Sequence, residues 1–306
     1  MMSNKCLKSP LMIGSMVLSW SIYYAVSKVV VSITGSPPVT GMLLRLAALI
    51  FLSIQLGVTG KLTKLIRKGR VALVLTCIGI FGFLLDLFAN LGYASGSLST
   101  GTALLKTDVL MVNLASVIVY RKKLFLSDWV GTFVMLAGVL MVLGVNFGVM
   151  TFQATDLYFI LSAACVTANA FVIKSAQEKY QEDSDTISYY NNGVVLLLFT
   201  VSSITAGHIS TASIPMTISF WILVLVGGLA QTGIYFFYYR NLRQHEVWAV
   251  KLYLLFMPVV SCFVGVLFLG EVLTVSKMAG ILIVLAGASV ILLRNRINSS
   301  KISDAG

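Results

Sequence analysis

The sequence reads LSDWVGTFVMLAG over residues 126–138 and VSKMAGILIVLAG over residues 275–287, two stretches that align at an offset of 149 residues. The same offset aligns VLMVNLA over residues 109–115 with PVVSCFV over residues 258–264. An internal duplication in a strongly apolar chain is typical of membrane proteins that are built from two structural repeats. The duplication therefore predicts both a fold class and an architecture.

The composition excludes a soluble fold. Of the 306 residues, 58% are hydrophobic and 11% are charged, and the mean hydropathy is +0.93. Soluble domains contain about a quarter charged residues. The net charge of +11 would suggest a nucleic-acid partner in a soluble protein, but in a membrane protein the position of each charge matters more than the sum. We therefore predict an integral membrane protein that contacts lipids and has no nucleic-acid partner.

Ten apolar runs are long enough to cross a bilayer, whose core of about 30 Å requires around 20 residues at 1.5 Å each. The first run is longer than the core of a signal peptide and is predicted to remain as a helix. The predicted spans cover residues 11–33, 38–58, 71–93, 98–120, 127–146, 155–174, 187–206, 217–239, 247–269 and 274–293.

The basic residues mark one side of the membrane. Most of the 22 Lys and Arg residues lie before the first span, in the even-numbered connections or after the last span. The odd-numbered connections contain no Lys or Arg. Because basic loops stay in the cytoplasm, we predict ten transmembrane helices with both termini cytoplasmic. The protein is expected to be multi-pass, in the cell inner membrane or the plasma membrane.

The duplication divides the spans into five and five. It predicts a first repeat over residues 1–149, a second repeat over residues 150–296 and a cytoplasmic tail over residues 297–306. An odd number of spans per half forces the second half to insert upside down relative to the first. The predicted fold is therefore all-α, with ten transmembrane helices arranged as a 5+5 inverted-topology repeat.

The chain lacks the common motifs of catalysis and cofactor binding. Its four cysteines form no C-x-x-C pair, its two histidines lie in different connections, and it contains no G-x-x-x-x-G-K-[ST]. A disulfide framework, a metal site and a P-loop are therefore not indicated. We predict that the protein is not an enzyme and uses no cofactor. Any uphill movement of a solute would depend on a proton, another ion or a counter-solute.

Charged residues within the predicted spans are the candidates for a functional site. Arg45, Asp86 and Lys106 each lie about seven or eight residues below the outer end of their span, at a common depth of roughly 10 Å. Asp108 lies beside Lys106, and Asn90 follows Asp86 by one helical turn. A carboxylate at this depth costs on the order of 2–3 kcal/mol unless it faces a partner or water. The pattern predicts either a solute-binding cavity in the first half or an ion-pair network that braces spans 2, 3 and 4.

Aromatic residues are expected to complete the cavity. At the offset of 149, Asp86 aligns with Tyr235, so the first half would supply charge and the second half aromatic surface. Trp20 and Tyr23 in span 1 are placed to line the same cavity. The predicted substrate-binding residues are Trp20, Tyr23, Arg45, Asp86, Asn90, Lys106, Asp108 and Tyr235.

Four further lysines lie within the spans or near their ends. Lys28 is predicted to lie with the buried charges in the outer half of the membrane. The other three are expected to extend to the lipid headgroups, as lysines near span ends usually do. They are Lys174, Lys251 and Lys277.

A series of short motifs shares its order and spacing with a known family. The motifs are the run from Trp20 to Lys28, Pro37-Pro38 before Arg45, LGYAS at 91–95, Met257-Pro258 before FLGE at 268–271, and VLAG at 284–287. Together they resemble the ten-helix drug/metabolite transporter superfamily, specifically its EamA-type exporters. The resemblance covers nearly the whole chain, about residues 11–293.

The resemblance implies a secondary transporter that exports amino acids, metabolites or toxic compounds. In the first half, Val109 and Lys122 stand where the family pattern has proline and glutamate, and Lys106 and Asp108 flank the first of these positions. This departure favours a more charged solute. We expect export of a small polar metabolite, an amino acid or a similar zwitterion, by alternating access.

The candidate residues have expected roles in this transport. Arg45 and Lys106 would bind the anionic group of the solute, and Asp86 or Asp108 would bind an amine or relay a proton. One alternative is an exchanger of anionic or nucleoside-like metabolites, which the excess of buried cations favours. A membrane-embedded enzyme or receptor is a further alternative.

Overall fold

The structure is a computed structural model, and every regular element in its described residues is helical. The described residues are 3–62, 65–96, 98–118, 126–142, 154–208, 212–270, 274–276, 278–284 and 286–287. The predicted repeat boundary at residues 149 and 150 and Lys277 both lie outside them, as does the predicted tail.

The helices follow the predicted spans closely. They are α1 (Ser3–Thr34), α2 (Pro37–Val58), α3 (Gly69–Ser95), α4 (Leu98–Leu104), α5 (Thr107–Ile118), α6 (Leu126–Val142), α7 (Ala154–Lys179), α8 (Ser184–Thr205), α9 (Ile218–Gln244), α10 (Val247–Tyr253) and α11 (Met257–Leu269). Residues 278–284 are also helical and belong to the predicted tenth span.

Seven helical segments of the described chain are long and apolar enough to cross a membrane. The other three predicted spans are shorter or interrupted. The fourth is divided into α4 and α5, the fifth is the 17-residue α6, and the tenth is described only in part. Many apolar side chains on the long helices face outward, as expected where lipid rather than water surrounds them. The chain is a multi-pass membrane protein.

The helix boundaries repeat between the two halves. A shift of 149 residues places both ends of α3 on those of α9, and both ends of α4 on those of α10. A shift of 147 residues does the same for α2 and α8. The duplication seen in the sequence is therefore a duplication of structure, and Arg45 in α2 becomes the counterpart of Asn192 in α8.

Both halves contain an interrupted helix at the same place. The break between α4 and α5 lies at Leu105 and Lys106, and the equivalent break between α10 and α11 is a 3₁₀ turn at Leu254–Phe256. Pro258, in the first turn of α11, has no N–H to donate backward and its ring opposes a continuous helix. Discontinuous helices within a bundle are tolerated where they face protein or a cavity.

The two halves are interleaved rather than side by side. Helix α1 packs against α9 of the other half, and α3 packs against α7 and α8. Glycine permits the closest contact, since a Cβ on Gly92 of α3 would lie 2.6 Å from the ring of Phe159 in α7. A Cβ on Gly138 of α6 would lie 2.7 Å from the carbonyl oxygen of Gly280. The central space is therefore lined by both halves.

Two of the lysines within the spans bind the ends of helices. Lys28 donates from Nζ to the carbonyl oxygens of Tyr93, at 2.9 Å, and Gly96, at the end of α3. Lys174 donates to those of Leu242, at 2.7 Å, and His245, at 3.0 Å, at the end of α9. The headgroup position expected for Lys174 was wrong, because unpaired carbonyls at a helix end attract a cation.

Candidate functional site

Arg45 of α2 and Asp86 of α3 form a buried ion pair. Arg45 Nε donates to Asp86 Oδ2 at 2.8 Å, and its Nη2 donates to the same oxygen. Tyr23 in α1 donates from its hydroxyl to this oxygen, also at 2.8 Å. The exposed fractions of the Arg45 and Asp86 side chains are 3% and 1%, so the pair is shielded from solvent and lipid. Helices 1, 2 and 3 thus meet at one carboxylate.

The same arginine joins the two halves. Its Nη1 donates to the hydroxyl of Tyr235 in α9, and its carbonyl oxygen accepts from Asn192 Nδ2 at 3.0 Å. Tyr235 in turn donates to Asn192 Oδ1 at 3.4 Å. Because Asn192 and Tyr235 are the repeat counterparts of Arg45 and Asp86, two equivalent pairs meet at the centre of the bundle. One pair is charged and the other is neutral.

A second buried ion pair lies at the interrupted helices. Lys251 Nζ in α10 donates to Asp108 Oδ2 in α5 at 2.8 Å, and each side chain is only 1% exposed. The ring centroid of Tyr238 lies 5.5 Å from Lys251 Nζ. The expectation that Lys251 extends to the headgroups was wrong. Lys251 reaches an internal carboxylate because the interrupted helix brings Asp108 within hydrogen-bonding distance.

Lys106 is the least compensated charge of the site. It lies in the break between α4 and α5 and is 4% exposed. None of the hydrogen bonds and ion pairs found among the described residues involves its ammonium group. Its charged neighbours are Asp108, which attracts it, and Lys251, which repels it. Asp108 Oδ1 also has no hydrogen-bonding partner in the part of the chain that the structure describes.

Aromatic side chains lie between the two ion pairs. The ring centroid of Trp20 is 5.4 Å from that of Tyr24 and 5.9 Å from that of Tyr238. Tyr24 lies within electrostatic range of both Asp86 and Asp108. The Nε1 atom of Trp20 is buried and has no partner among the described residues. The aromatic cluster therefore connects the two charged regions.

Asn90 is buried beside the first ion pair. Its Oδ1 accepts a hydrogen bond from Ser27 in α1, and its Nδ2 is without a partner in the described chain. The exposed fraction of the residue is 1%. Both N–H donors of its amide are therefore buried without a partner among the described residues.

A narrow cavity lies beside the first ion pair and the aromatic cluster. Its volume is about 20 Å³, and one water molecule needs roughly 10–15 Å³ of cavity volume. Arg45 and Tyr235 line it near the first ion pair, and Tyr238 lines it where that ring meets Lys251. The cavity in this conformation therefore has room for a water molecule but is too small for a metabolite.

The structure brings the predicted residues together in two groups. Tyr23, Arg45, Asp86 and Tyr235 share one hydrogen-bonded network. Lys106 and Asp108 belong instead to the second group, which includes Lys251. Trp20 contacts the aromatic cluster between them, and Asn90 lies near the first group. All eight predicted residues are buried, and what they bind stays a prediction.

Two residues of the site were missed from the sequence. Lys251 lies one helical turn before Leu255, the repeat counterpart of Lys106, so it could have been placed on the same face. Asn192 matches Arg45 only at the offset of 147, which applies to α2 and α8. A single offset of 149 conceals that match.

Within the described residues, no three His, Cys, Asp or Glu side chains lie close enough to hold a metal ion.

A third charged cluster lies at the end of the bundle that carries the basic connections. Arg67 Nε donates to Glu182 Oε1 at 2.7 Å, and Lys61 binds Asp185. These ion pairs join the connection after α2 to Glu182, in the connection before α8, and to Asp185, in the first turn of α8, and thus one half to the other. Side-chain hydrogen bonding to Glu182 raises the pKa of Arg67 above its ordinary value. The cluster is half-exposed and separate from the buried site.

Comparison with known proteins gives a separate match for each half of the chain. The model of the EamA-like transporter family matches residues 7–144 and again residues 153–293. A solved structure described as "Crystal structure of protein" superposes with a TM-score of 0.72 at 18% identity, over 94% of this chain and 97% of the other. At that identity the likeness shows the fold alone. A search of curated proteins finds no significant match.

Proposed function

Because the chain belongs to the EamA-like transporter family, it is a membrane transporter of the drug/metabolite kind, and we propose that it moves an amino acid or a similar zwitterion. Alternating access of the two inverted halves carries the solute, with export as the direction that the resemblance to exporters implies. The solute binds at the interrupted helices, between Lys106 and Asp108.

One observation carries this proposal. Lys106 is 4% exposed and makes no hydrogen bond or ion pair with the described residues, and Asp108 Oδ1 is a buried carboxylate oxygen without a partner among them. A buried charge without a partner is costly inside a membrane, so such a group usually faces a ligand or water. The carboxylate of an amino acid complements the ammonium group of Lys106. Its own ammonium group complements Asp108 Oδ1.

The backbone supports the same site. Both α5 and α11 begin at a break inside the bundle, and the first turn of α5 contains Asp108. The N-terminus of a half-helix carries a partial positive charge, which favours an anionic group. The breaks thus add to the attraction that Lys106 exerts on a carboxylate.

The Arg45–Asp86 pair has a different role in the proposal. Nε, Nη1 and Nη2 of Arg45 all donate to partners within the protein, so the arginine is occupied. We assign this pair to bracing the helices, in line with the alternative that the sequence left open, an ion-pair network at spans 2, 3 and 4; through Tyr235 and Asn192 it also joins the two halves. Trp20, Tyr24 and Tyr238 form the wall that the solute meets as it approaches Lys106. Since the cavity has room for little more than one water molecule, the halves must separate to admit a solute.

Counterflow in reconstituted vesicles tests this function. Vesicles that contain the purified protein are loaded with a mixture of unlabelled L-amino acids, and accumulation of labelled amino acids is followed against vesicles without protein. We expect accumulation by the unmodified protein and its loss in Lys106→Met. Lys179→Met, which removes an exposed lysine at the end of α7, is the matched control and should transport normally. If no amino acid accumulates in protein-containing vesicles, the proposed function is wrong.

A further inference from the structure

The second charged group has an uneven charge. Lys106 and Lys251 are cations and Asp108 is an anion, so the group carries a net charge of +1. The Arg45–Asp86 pair is neutral and adds nothing. In the described part of the membrane interior, the charge of Lys106 therefore has no counterpart in the protein.

From this arrangement, together with the proposed function on which it rests, we infer that the solute is an amino acid with a second acidic group and that it is carried by exchange. Two cations and one anion in the site are the complement of two anions and one cation in the solute. An acidic amino acid has two carboxylates and one ammonium group, with a net charge of −1. Bound to the site, it yields an electrically neutral complex.

The positions of Asp108 Oδ1 and of the Lys106 ammonium group fit an acidic amino acid. Lys251 occupies Asp108 Oδ2, so the ammonium group of the solute can bind Oδ1 without displacing the lysine. Lys106, which makes no hydrogen bond or ion pair with the described residues, can bind one carboxylate. The second carboxylate lies in the field of both lysines. A neutral zwitterion would leave one of the two buried cations uncompensated.

The net charge of the site also determines how easily the empty transporter passes between its two access states. When the site is empty, it retains a buried charge of +1, which opposes the passage between the two access states. When an acidic amino acid is bound, the complex is neutral and the passage is easier. The protein should therefore move solute quickly when solute is present on both sides of the membrane, and slowly when it is present on one side.

Aspartate and asparagine separate the effect of charge from that of size, since they have the same shape and differ by one charge. In counterflow with the reconstituted protein, we expect aspartate to be preferred over asparagine by roughly a hundredfold, the factor that corresponds to one uncompensated charge in a membrane. Efflux of labelled aspartate should accelerate at least about tenfold when external aspartate is added. Equal transport of the two amino acids, or efflux that external aspartate does not accelerate, would overturn the inference while leaving amino-acid transport in place.

Lys251→Met provides a second test that a folding defect cannot imitate. The variant leaves one cation, Lys106, and one anion, Asp108, which are the complement of a neutral zwitterion. We expect the preference to reverse, so that asparagine is carried better than aspartate, and the acceleration by external solute to disappear. If the variant transports with an unchanged preference for aspartate, the inference is wrong. If neither the unmodified protein nor the variant carries any amino acid, the proposed function fails and this inference with it.

Discussion

Asp108 and Lys251 form a 2.8 Å ion pair that joins the two halves of the chain inside the membrane. The pair lies at the two interrupted helices, whose positions are related by the internal repeat. Breaking a buried pair by removing one partner is strongly destabilising, whereas the intact pair contributes little net stability. The pair thus brings one charge from each half to the interrupted helices.

The Arg45–Asp86 pair should behave as a brace. Asp86→Asn removes the charge that compensates buried Arg45, so we expect a loss of roughly 3–5 kcal/mol in the free energy of unfolding. The double variant Arg45→Met/Asp86→Leu removes both charges and should recover much of that loss. Thermal unfolding of the purified protein in detergent measures both effects. An Asp86→Asn variant as stable as the unmodified protein would show that the pair does not brace the halves.

Lys28 and Lys174 should contribute to stability alike, because they bind equivalent carbonyl groups in the two halves. Each Lys→Met change leaves carbonyl oxygens at a helix end without a donor, at a cost of about 1–3 kcal/mol. We expect similar falls in the unfolding temperature for both variants. The exposed Lys179→Met should leave it unchanged. A large fall for one lysine and none for its counterpart would contradict the proposed equivalence.

The close packing of α6 against the segment at 278–284 can be tested with added methyl groups. In Gly138→Ala the new Cβ would lie 2.7 Å from Gly280 O and from Val284 N, which are backbone atoms and cannot turn aside. We expect a loss of about 1–3 kcal/mol from overpacking. Gly193→Ala in α8 is the control, because its Cβ would meet nothing within 4 Å. It should be neutral or stabilising by up to about 1 kcal/mol, as thermal unfolding would reveal.

Asp183 caps α8 and gives a pH-dependent prediction. Burial alone would raise the pKa of Asp183, but hydrogen bonds from Thr186 and the nearby cations Lys61 and Arg67 outweigh it and hold the pKa below its ordinary value. The ionised cap therefore stabilises the fold above the unfolded pKa of about 3.9, and this contribution is lost as the pH falls through the lower folded value.

Asp183→Ala should therefore cost about 1 kcal/mol near pH 7, and the difference from the unmodified protein should shrink below about pH 4. Asp183→Asn retains a side-chain oxygen at the cap and should lose less. Denaturation of both variants across this pH range would measure the effect. A cost for Asp183→Ala that does not change with pH would mean that the charge of the cap is irrelevant.

The spans were predictable because hydropathy and charge act over short stretches of chain. The break at Leu254–Phe256 has a local cause in Pro258, but the equivalent break at Lys106 has no proline. In the sequence, this break was indicated only by the charged residue Lys106 within the weakly apolar fourth predicted span. The repeat supplies the missing information, since a shift of 149 residues relates the two breaks.

The site was predictable only in part. Counting along a helix gives the depth of a residue, so Arg45 and Asp86 could be placed at one level, and the structure pairs them. Depth alone gives neither the direction in which a side chain points nor the residue that it contacts. Lys251 was therefore misplaced, because its carboxylate partner, Asp108, is 143 residues away in the sequence. Depth alone also grouped Lys28 with the buried charges, although Lys28 binds the end of α3.

Equilibrium binding of labelled aspartate to the purified protein tests the central claim most directly, because it needs neither vesicles nor a coupling gradient. The account predicts saturable binding by the unmodified protein and by Lys179→Met. It predicts binding weakened at least about tenfold in Lys106→Met, where the buried cation is absent. If Lys106→Met binds aspartate as tightly as the unmodified protein, Lys106 is not the solute's anion-binding residue and the site lies elsewhere.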